Sequence, residues 1–431
     1  MNQETGGKGK VTTVSLLWGA MAFTYAIRFA LSVAAPVLRK EYGFSATDIG
    51  YLFSGWNWTY TAGLLFIGSV VDRFGPWIVM GVGGAVWSLS TIALPISSAF
   101  ASLFLLRLVF GLGQSMLIPA NAAAISQKFS AKERTRAVAT AFSGNQVGPA
   151  VCGIVAAYIL TRMGWQAVFY IIGGASLLWT LSWFAFFPKK KIGRDAPTAQ
   201  AASAAVEHRI SWFELFAYRA TWGIALGQFG YLYAYFFFIA WLPSYFSQDR
   251  GLSIMKSGTF SSLSFWAGVI GTLAGGWISD YINSRGITLT RSRKSMIGIG
   301  LTVCTTCMVS AAFVQQTTLA IALLILAVGS IRIATGPCNS LPIDLAPRSV
   351  VGSLTSIQNF FGNVGGLLVP IVTGYLVDLT GNFLVSLLVA AGMALFGAFA
   401  YVFIVPNLDK GKLEPRGTRV SAAPVPASGT V

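Results

Sequence analysis

The chain is short of charge. Only 10% of its 431 residues are Asp, Glu, Lys or Arg, where a soluble globular protein carries about 25%. A chain this long cannot cover itself with a water-facing surface on that allowance. Acid is scarcer still, with 14 Asp and Glu against 30 Lys and Arg. There is a single histidine, His208, in a polar stretch, and His, Cys, Asp and Glu never cluster at metal-ligand spacing, so neither a metal site nor a cofactor is expected. The four cysteines fall inside apolar runs. Cys304 and Cys307 form a CxxC that is expected to pack in lipid rather than to bind metal or cycle redox states. No nucleotide-binding loop is present, and GVGGAV at 81–86 lacks the strand context of a dinucleotide loop. No catalytic constellation is visible, so an enzyme is not expected.

Apolar residues fill that space. They make up 55% of the chain and come in continuous blocks. A bilayer core of about 30 Å is crossed by roughly 20 apolar residues in a helix. Twelve such blocks are readable, near 13–37, 49–71, 77–97, 100–125, 135–161, 166–187, 219–246, 258–280, 295–315, 317–343, 351–377 and 382–405. Continuous blocks rather than alternating ones mean helices, because only helices or closed barrels satisfy backbone groups in lipid. Lys8 and Lys10 precede a first run too long for a signal-peptide core, so it is expected to stay as the first span.

The net charge of +16 does not point to nucleic acid. With the N-terminus in the cytoplasm, the cytoplasmic segments carry most of the Lys and Arg, while the opposite face keeps only Arg39, Lys40, Arg162, Arg250 and Lys256. This is the positive-inside bias, and it places both termini in the cytoplasm. The stretch 188–215, with Lys189, Lys190, Lys191 and AQAASAAVEH, splits the chain into six spans and six. The expected organisation is an N-terminal bundle over 1–187, a cytoplasmic linker over 188–215, a C-terminal bundle over 216–405 and a disordered tail over 406–431.

The halves echo each other. GSVVDRFG, with Gly68, Asp72, Arg73 and Gly75, has a counterpart in GGWISDYINSRG, with Asp280. IPAN, with Pro119 and Asn121, has one in TGPCN, with Pro337 and Asn339. SGNQVG, with Asn145, has one in IQNFFG, with Asn359. Three echoes in order indicate duplicated six-helix halves with a site between them. The G-x-x-x-D-R-x-G segment resembles the gating-loop motif of the major facilitator superfamily, although Pro76 and Trp77 stand where basic residues are usual. YAIRFALSVAAP, LRLVFGLGQSMLIPA, SGNQVGPAVCGIVAAYILTRMGWQAVFY and WLPSYF extend the resemblance over nearly the whole chain to its anion:cation symporter family. That family includes bacterial sugar-acid importers and the vesicular glutamate and sialic acid carriers. The resemblance implies an all-α, monomeric, multi-pass carrier of the inner membrane.

Three ionisable residues lie deep in the spans: Arg28, Arg107 and Arg332. A charge at the bilayer centre costs about 2.5–3.5 kcal/mol on insertion scales, so such residues are expected to be functional. A planar guanidinium can hold a carboxylate, phosphate or sulfonate bidentately. No acidic residue lies mid-span to pair with them; Asp344 and Asp378 come nearest. The resemblance makes Arg28 and Arg107 the substrate and coupling positions, and matches Tyr25, Tyr60 and Asn359 to substrate contacts. It also exposes two departures. The Asp usual before the first arginine is Ile27, and the Glu usual seven residues after the second is Gln114, which shares a helix face with Arg107. Aligning the echoes sets Arg332 opposite Gln114. Asn145, Gln146 and Asn339 complete the candidate set, while Tyr231 and Tyr235 are expected to pack. The expected cargo is a small organic anion (sugar acid, dicarboxylate, sulfonate or sulfocarboxylate), taken up by alternating access. An antiporter, an exporter and a membrane receptor are the rivals.

Overall fold

The computed structural model describes residues 2–187, 213–347, 350–410 and 413. Most of the linker and the tail, and the Asp280 side chain, lie outside the described residues. Among the described residues every regular element is a helix: α1 (Asn2–Tyr42), α2 (Ala46–Ala93), α3 (Phe100–Ser115), α4 (Leu117–Lys128), α5 (Ala131–Met163), α6 (Trp165–Phe186), α7 (Arg219–Ser244), α8 (Ile254–Ser284), α9 (Leu289–Phe313), α10 (Thr317–Ile333), α11 (Thr335–Leu345), α12 (Val351–Thr380) and α13 (Leu384–Phe399). Ten helical stretches among them are long and apolar enough to cross a membrane.

Two of the sequence echoes take physical form as breaks. Gly75 adopts φ 78°, ψ 159°, a conformation that L-residues avoid, and Pro76 follows it. Together they divide α2 into two arms, 46–74 and 76–93. Met116 separates α3 from α4, and Ala334 separates α10 from α11. Met116 and Ala334 are as far apart in sequence as Pro119 and Pro337, so each half carries the same break at the same place.

Within the halves, small residues let helix backbones touch. A Cβ at Gly148 would run into the Ala22 carbonyl of α1, and one at Gly144 would meet the Trp18 carbonyl at 2.5 Å. Cβ atoms at Gly271 and Gly275 would strike the Gly329 and Ile333 carbonyls of α10. Both Gly-x-x-x-Gly pairs are therefore helix-packing seams. Lys10 adds an ion pair to Glu133, 2.8 Å, joining the starts of α1 and α5. That bond and those from Ser130 pull the Glu133 carboxyl down to a pKa of about 2.

Contact between the halves runs mainly through α2 on α12 and α5 on α8. It is tightest at one end. The Asp378 carboxylate of α12 accepts from the backbone N–H of Ala46 (2.8 Å) and Thr47 (2.7 Å) and from the Thr47 hydroxyl (2.6 Å). It thus caps α2, an anion at the positive end of a helix. Arg39 stands 3.8 Å from the same carboxylate and donates to Gln248 at 2.7 Å. Cβ atoms at Gly50 and Gly374 would collide with the Pro370 and Ala46 carbonyls, so only glycine permits this closure. At the far end of the first arm of α2, Gly68, Asp72 and Arg73 are exposed, and Arg73 rests only over the Phe74 ring, 5.4 Å away.

The start of the tail departs from the expected disorder. Leu408–Lys410 form a 3-10 turn. Leu408 is buried, its N–H donates to Thr290, and the Asp409 carboxylate accepts from the Leu289 N–H at 3.1 Å. An apolar side chain followed by a carboxylate docks this segment on the N-terminus of α9, which Thr288 also caps.

Candidate functional site

Arg28 sits on α1 beside the break between α3 and α4. Its Nε and Nη2 both donate to the Gln114 side-chain oxygen, at 2.9 and 2.5 Å, and Gln114 reaches the Thr24 carbonyl at 3.4 Å. The guanidinium carbon lies 3.4 Å from the Trp56 ring centroid, 4.4 Å from Tyr25 and 5.8 Å from Tyr60. Aromatic faces stabilise a cation without neutralising it. Tyr25 and Tyr60 therefore join Arg28 and Gln114 in one cluster. Ile27, where the resemblance calls for an acid, is fully buried among apolar neighbours.

Arg332 sits on α10 immediately before its break. The Gln146 amide is assigned with its oxygen toward the guanidinium, the orientation the hydrogen bonds demand; it then accepts from Nε (2.6 Å), Nη1 (3.2 Å) and Nη2. Nη1 also donates to the Tyr231 hydroxyl at 3.0 Å and Nε to Thr272 at 3.3 Å. Tyr235 presents its ring 4.5 Å from the guanidinium carbon. Tyr231 and Tyr235 stack on each other, as their spacing of one turn predicts, and both also engage the cation. Gln146 comes from α5, so this contact crosses between the halves.

Arg107 is placed differently. It is 1% exposed, its Nε donates to the Leu52 carbonyl at 3.1 Å, and its guanidinium carbon lies 4.6 Å from the Phe110 ring. Among the described residues Nη1 has no hydrogen-bond partner. It borders a void of about 10 Å³ with Leu31, Leu52, Leu103 and Trp165, room for about one water. It is close enough to Arg28 to repel it. Among the described residues no carboxylate stands within ion-pair distance of any of the three arginines. Asp344 instead pairs with Arg293 at 3.4 Å, and Asp378 is occupied at the start of α2.

The asparagines do not gather with the arginines. Asn145 is half-buried on α5, one residue and about 100° of helix away from Gln146. Asn339 is exposed, and Asn359 is exposed and donates back to the Thr355 carbonyl at 2.9 Å. Trp56 and Thr272 are site residues that the sequence did not single out. The only signal for Trp56 is a spacing of one turn from Tyr60 on α2.

The arrangement is a pair of buried cations, each cradled by neutral amides, hydroxyls and aromatic faces. It can bind anions.

Comparison with known proteins agrees with the architecture. The family model described as Major Facilitator Superfamily matches residues 17–370 and again 286–428. The chain is 30% identical over 95% of its length, and 97% of the relative's, to a hexuronate transporter of Bacillus subtilis. It is 30% identical over 93% of its length, and 96% of the relative's, to a probable sulfoacetate transporter of Cupriavidus necator. Among solved structures, it superposes with TM-score 0.78 and 16% identity on a bacterial homolog of the human lysosomal transporter Spinster, covering 94% of this chain and 99% of that one.

A buried guanidinium with an unpartnered N–H and a like-charged neighbour costs stability. Arg107→Met should therefore leave the thermal unfolding temperature of the detergent-purified protein unchanged or raise it. A fall of more than about 5 °C would make Arg107 a structural keystone instead.

Proposed function

We propose that this chain, which belongs to the major facilitator superfamily, is a secondary active carrier that takes up a small organic anion across the inner membrane by alternating access. The observation that carries the reading is Arg28: a buried cation whose hydrogen-bond partner is the neutral Gln114, stacked on Trp56 and Tyr25, with no counter-ion. Such a group binds an acid head bidentately with a gain in energy, because the anion supplies the charge that the protein withholds. The relatives named for hexuronate and sulfoacetate carry acids of this size, which supports the same class here.

In this reading the ten long apolar stretches and the two flanking segments of α2 and α8 make twelve spans, six in each half. The chain works as a monomer, and both termini lie in the cytoplasm, a topology that the distribution of Lys and Arg supports. The end sealed by Asp378, Arg39 and Gln248 is then the outer one. The exposed Asp72 and Arg73 then belong to the inner end. Rocking of the halves breaks the Asp378 cap on α2 and closes the inner end. Arg107 lies within the N-terminal half, beneath Arg28. It serves as the coupling position, by its repulsion of an unoccupied Arg28.

Uptake of carboxylates and sulfonates into proteoliposomes tests the function. Arg28→Lys keeps the charge and loses the planar fork, so uptake should fall to less than about a tenth of the native rate while insertion is normal. Near-native uptake would remove Arg28 from the site. For topology, cysteines introduced at Gln3 and Ser428 should resist a membrane-impermeant thiol reagent in intact cells, and labelling of either from outside would reverse the assignment. Gln114→Glu places a carboxylate against Arg28, where it competes with the substrate once ionised. Uptake by that variant should be strongest at low pH and decline as pH rises through the carboxylate's titration. Because Arg28 holds the new carboxylate ionised, that recovery is expected only below about pH 5, and near-native uptake by the variant at neutral pH would show that position 114 does not face the substrate.

A further inference from the structure

The two cationic clusters are parts of one surface. Trp56, which carries Arg28 on its face, packs against Phe236 with ring centroids 6.0 Å apart, and Phe236 packs against Tyr235 at 6.0 Å. Tyr235 in turn lies under Arg332. An aromatic wall thus runs from one guanidinium to the other, with the N-terminal half supplying Trp56 and the C-terminal half Phe236 and Tyr235. Tyr25 and Tyr235 each sit within electrostatic reach of both cations. Arg28 and Arg332 are 6% and 5% exposed, so both are largely withdrawn from water.

Neither cation is neutralised. The partners of Arg28 are an amide and aromatic faces, and those of Arg332 are an amide, two hydroxyls and an aromatic face. Neutral partners orient a guanidinium and satisfy its N–H groups, but leave its full charge in a medium of low dielectric. A monoanion at Arg28 would leave the Arg332 charge in place. A second acidic group on the same molecule would cancel it.

Resting on the reading of this chain as an organic-anion carrier, we propose that Arg332 is a second anion subsite and that the preferred substrate is a dianion. It carries an acidic group at each end, one on Arg28 and the other on Arg332, with its spacer along Trp56, Phe236 and Tyr235. Gln146, Tyr231 and Thr272 are positioning residues for Arg332. Because the two arginines belong to different halves, a dianion also ties the halves together across the site, which a monoanion on Arg28 does not.

The test is equilibrium binding to the purified full-length protein of D-galactonate and galactarate, which share a six-carbon skeleton and differ in one terminal carboxylate. A second pair, acetate and sulfoacetate, varies the spacer. The native protein should bind the dianion of each pair at least tenfold more tightly. Arg332→Gln should weaken dianion binding at least tenfold more than monoanion binding and so abolish that preference, and the monoanion binding that remains shows that the variant is folded. Tyr231→Phe, a milder change that removes one hydrogen bond to Arg332, should reduce the preference about threefold. Equal affinity of the native protein for both members of each pair overturns the proposal and leaves the carrier reading intact. So does an Arg332→Gln variant that loses both ligands equally while Tyr231→Phe keeps the full preference. Failure of the native protein to bind any of the four acids counts against the carrier reading itself.

Discussion

Uncompensated positive charge inside a low-dielectric body is the constraint on which this molecule turns. A guanidinium in the membrane interior is tolerated when its N–H groups are satisfied and its charge is met by something. Here the N–H groups of Arg28 and Arg332 are largely satisfied, by Gln114 on one side and by Gln146, Tyr231 and Thr272 on the other. Among the described residues their charges are met by the faces of Trp56, Tyr25, Tyr60 and Tyr235 rather than by a carboxylate. A carboxylate at position 27 or 114 would have closed the circuit internally. With Ile27 and Gln114 there, the protein is left complementary to an anion it does not itself contain.

That complementarity depends on rigid surroundings. Each arginine projects from a long helix whose neighbours approach to backbone contact, α1 on α5 through Gly144 and Gly148 and α10 on α8 through Gly271 and Gly275. Such seams hold the rotamer of a large side chain by leaving it no alternative space. Movement is left to the interface between α2 and α12. Its closed end rests on Asp378 capping α2, an interaction of hydrogen bonds and a helix dipole rather than of a large apolar patch. Bonds of that kind can be exchanged for water when the end opens, so the rigid and movable parts of the structure are built from different interactions.

The sequence carried this division unevenly. Helices and the buried arginines were legible, because an uninterrupted apolar run has few structural solutions in lipid and a charge within it is conspicuous. The spacing of seven from Arg107 suggested that Gln114 belongs to that arginine, whereas its side-chain oxygen accepts from Arg28; the echo of Pro119 in Pro337 set Arg332 in register with Gln114. What stayed hidden required a third dimension. Trp56 is one of 13 tryptophans, and only its place over Arg28 separates it from those that merely pack. Asn145 and Gln146 are adjacent, and no pattern in one sequence says which of them faces the C-terminal half. Tyr231 and Tyr235 do pack, as their spacing suggests, and the same rings serve the cation. Asp378 was legible as an acid at a helix end, but its partner, the start of α2, lies more than three hundred residues earlier in the chain.

The internal repeat gives the site its logic. Gln114 and Arg332 hold equivalent positions just before equivalent helix breaks, yet they exchange roles. In the N-terminal half the cation comes from α1 and the neutral partner from the broken helix. In the C-terminal half the cation comes from the broken helix and the neutral partners include Tyr231 of α7. Two identical halves would have placed both cations on the first helices or both on the broken ones. The exchange sets one on each kind of element, joined by an aromatic wall that crosses the boundary between the halves. It also lets Gln146 of α5 reach across to Arg332, so that the second cation is built by both halves at once. A duplicated bundle is symmetric by origin. Divergence at these positions sets the two buried cations in different surroundings.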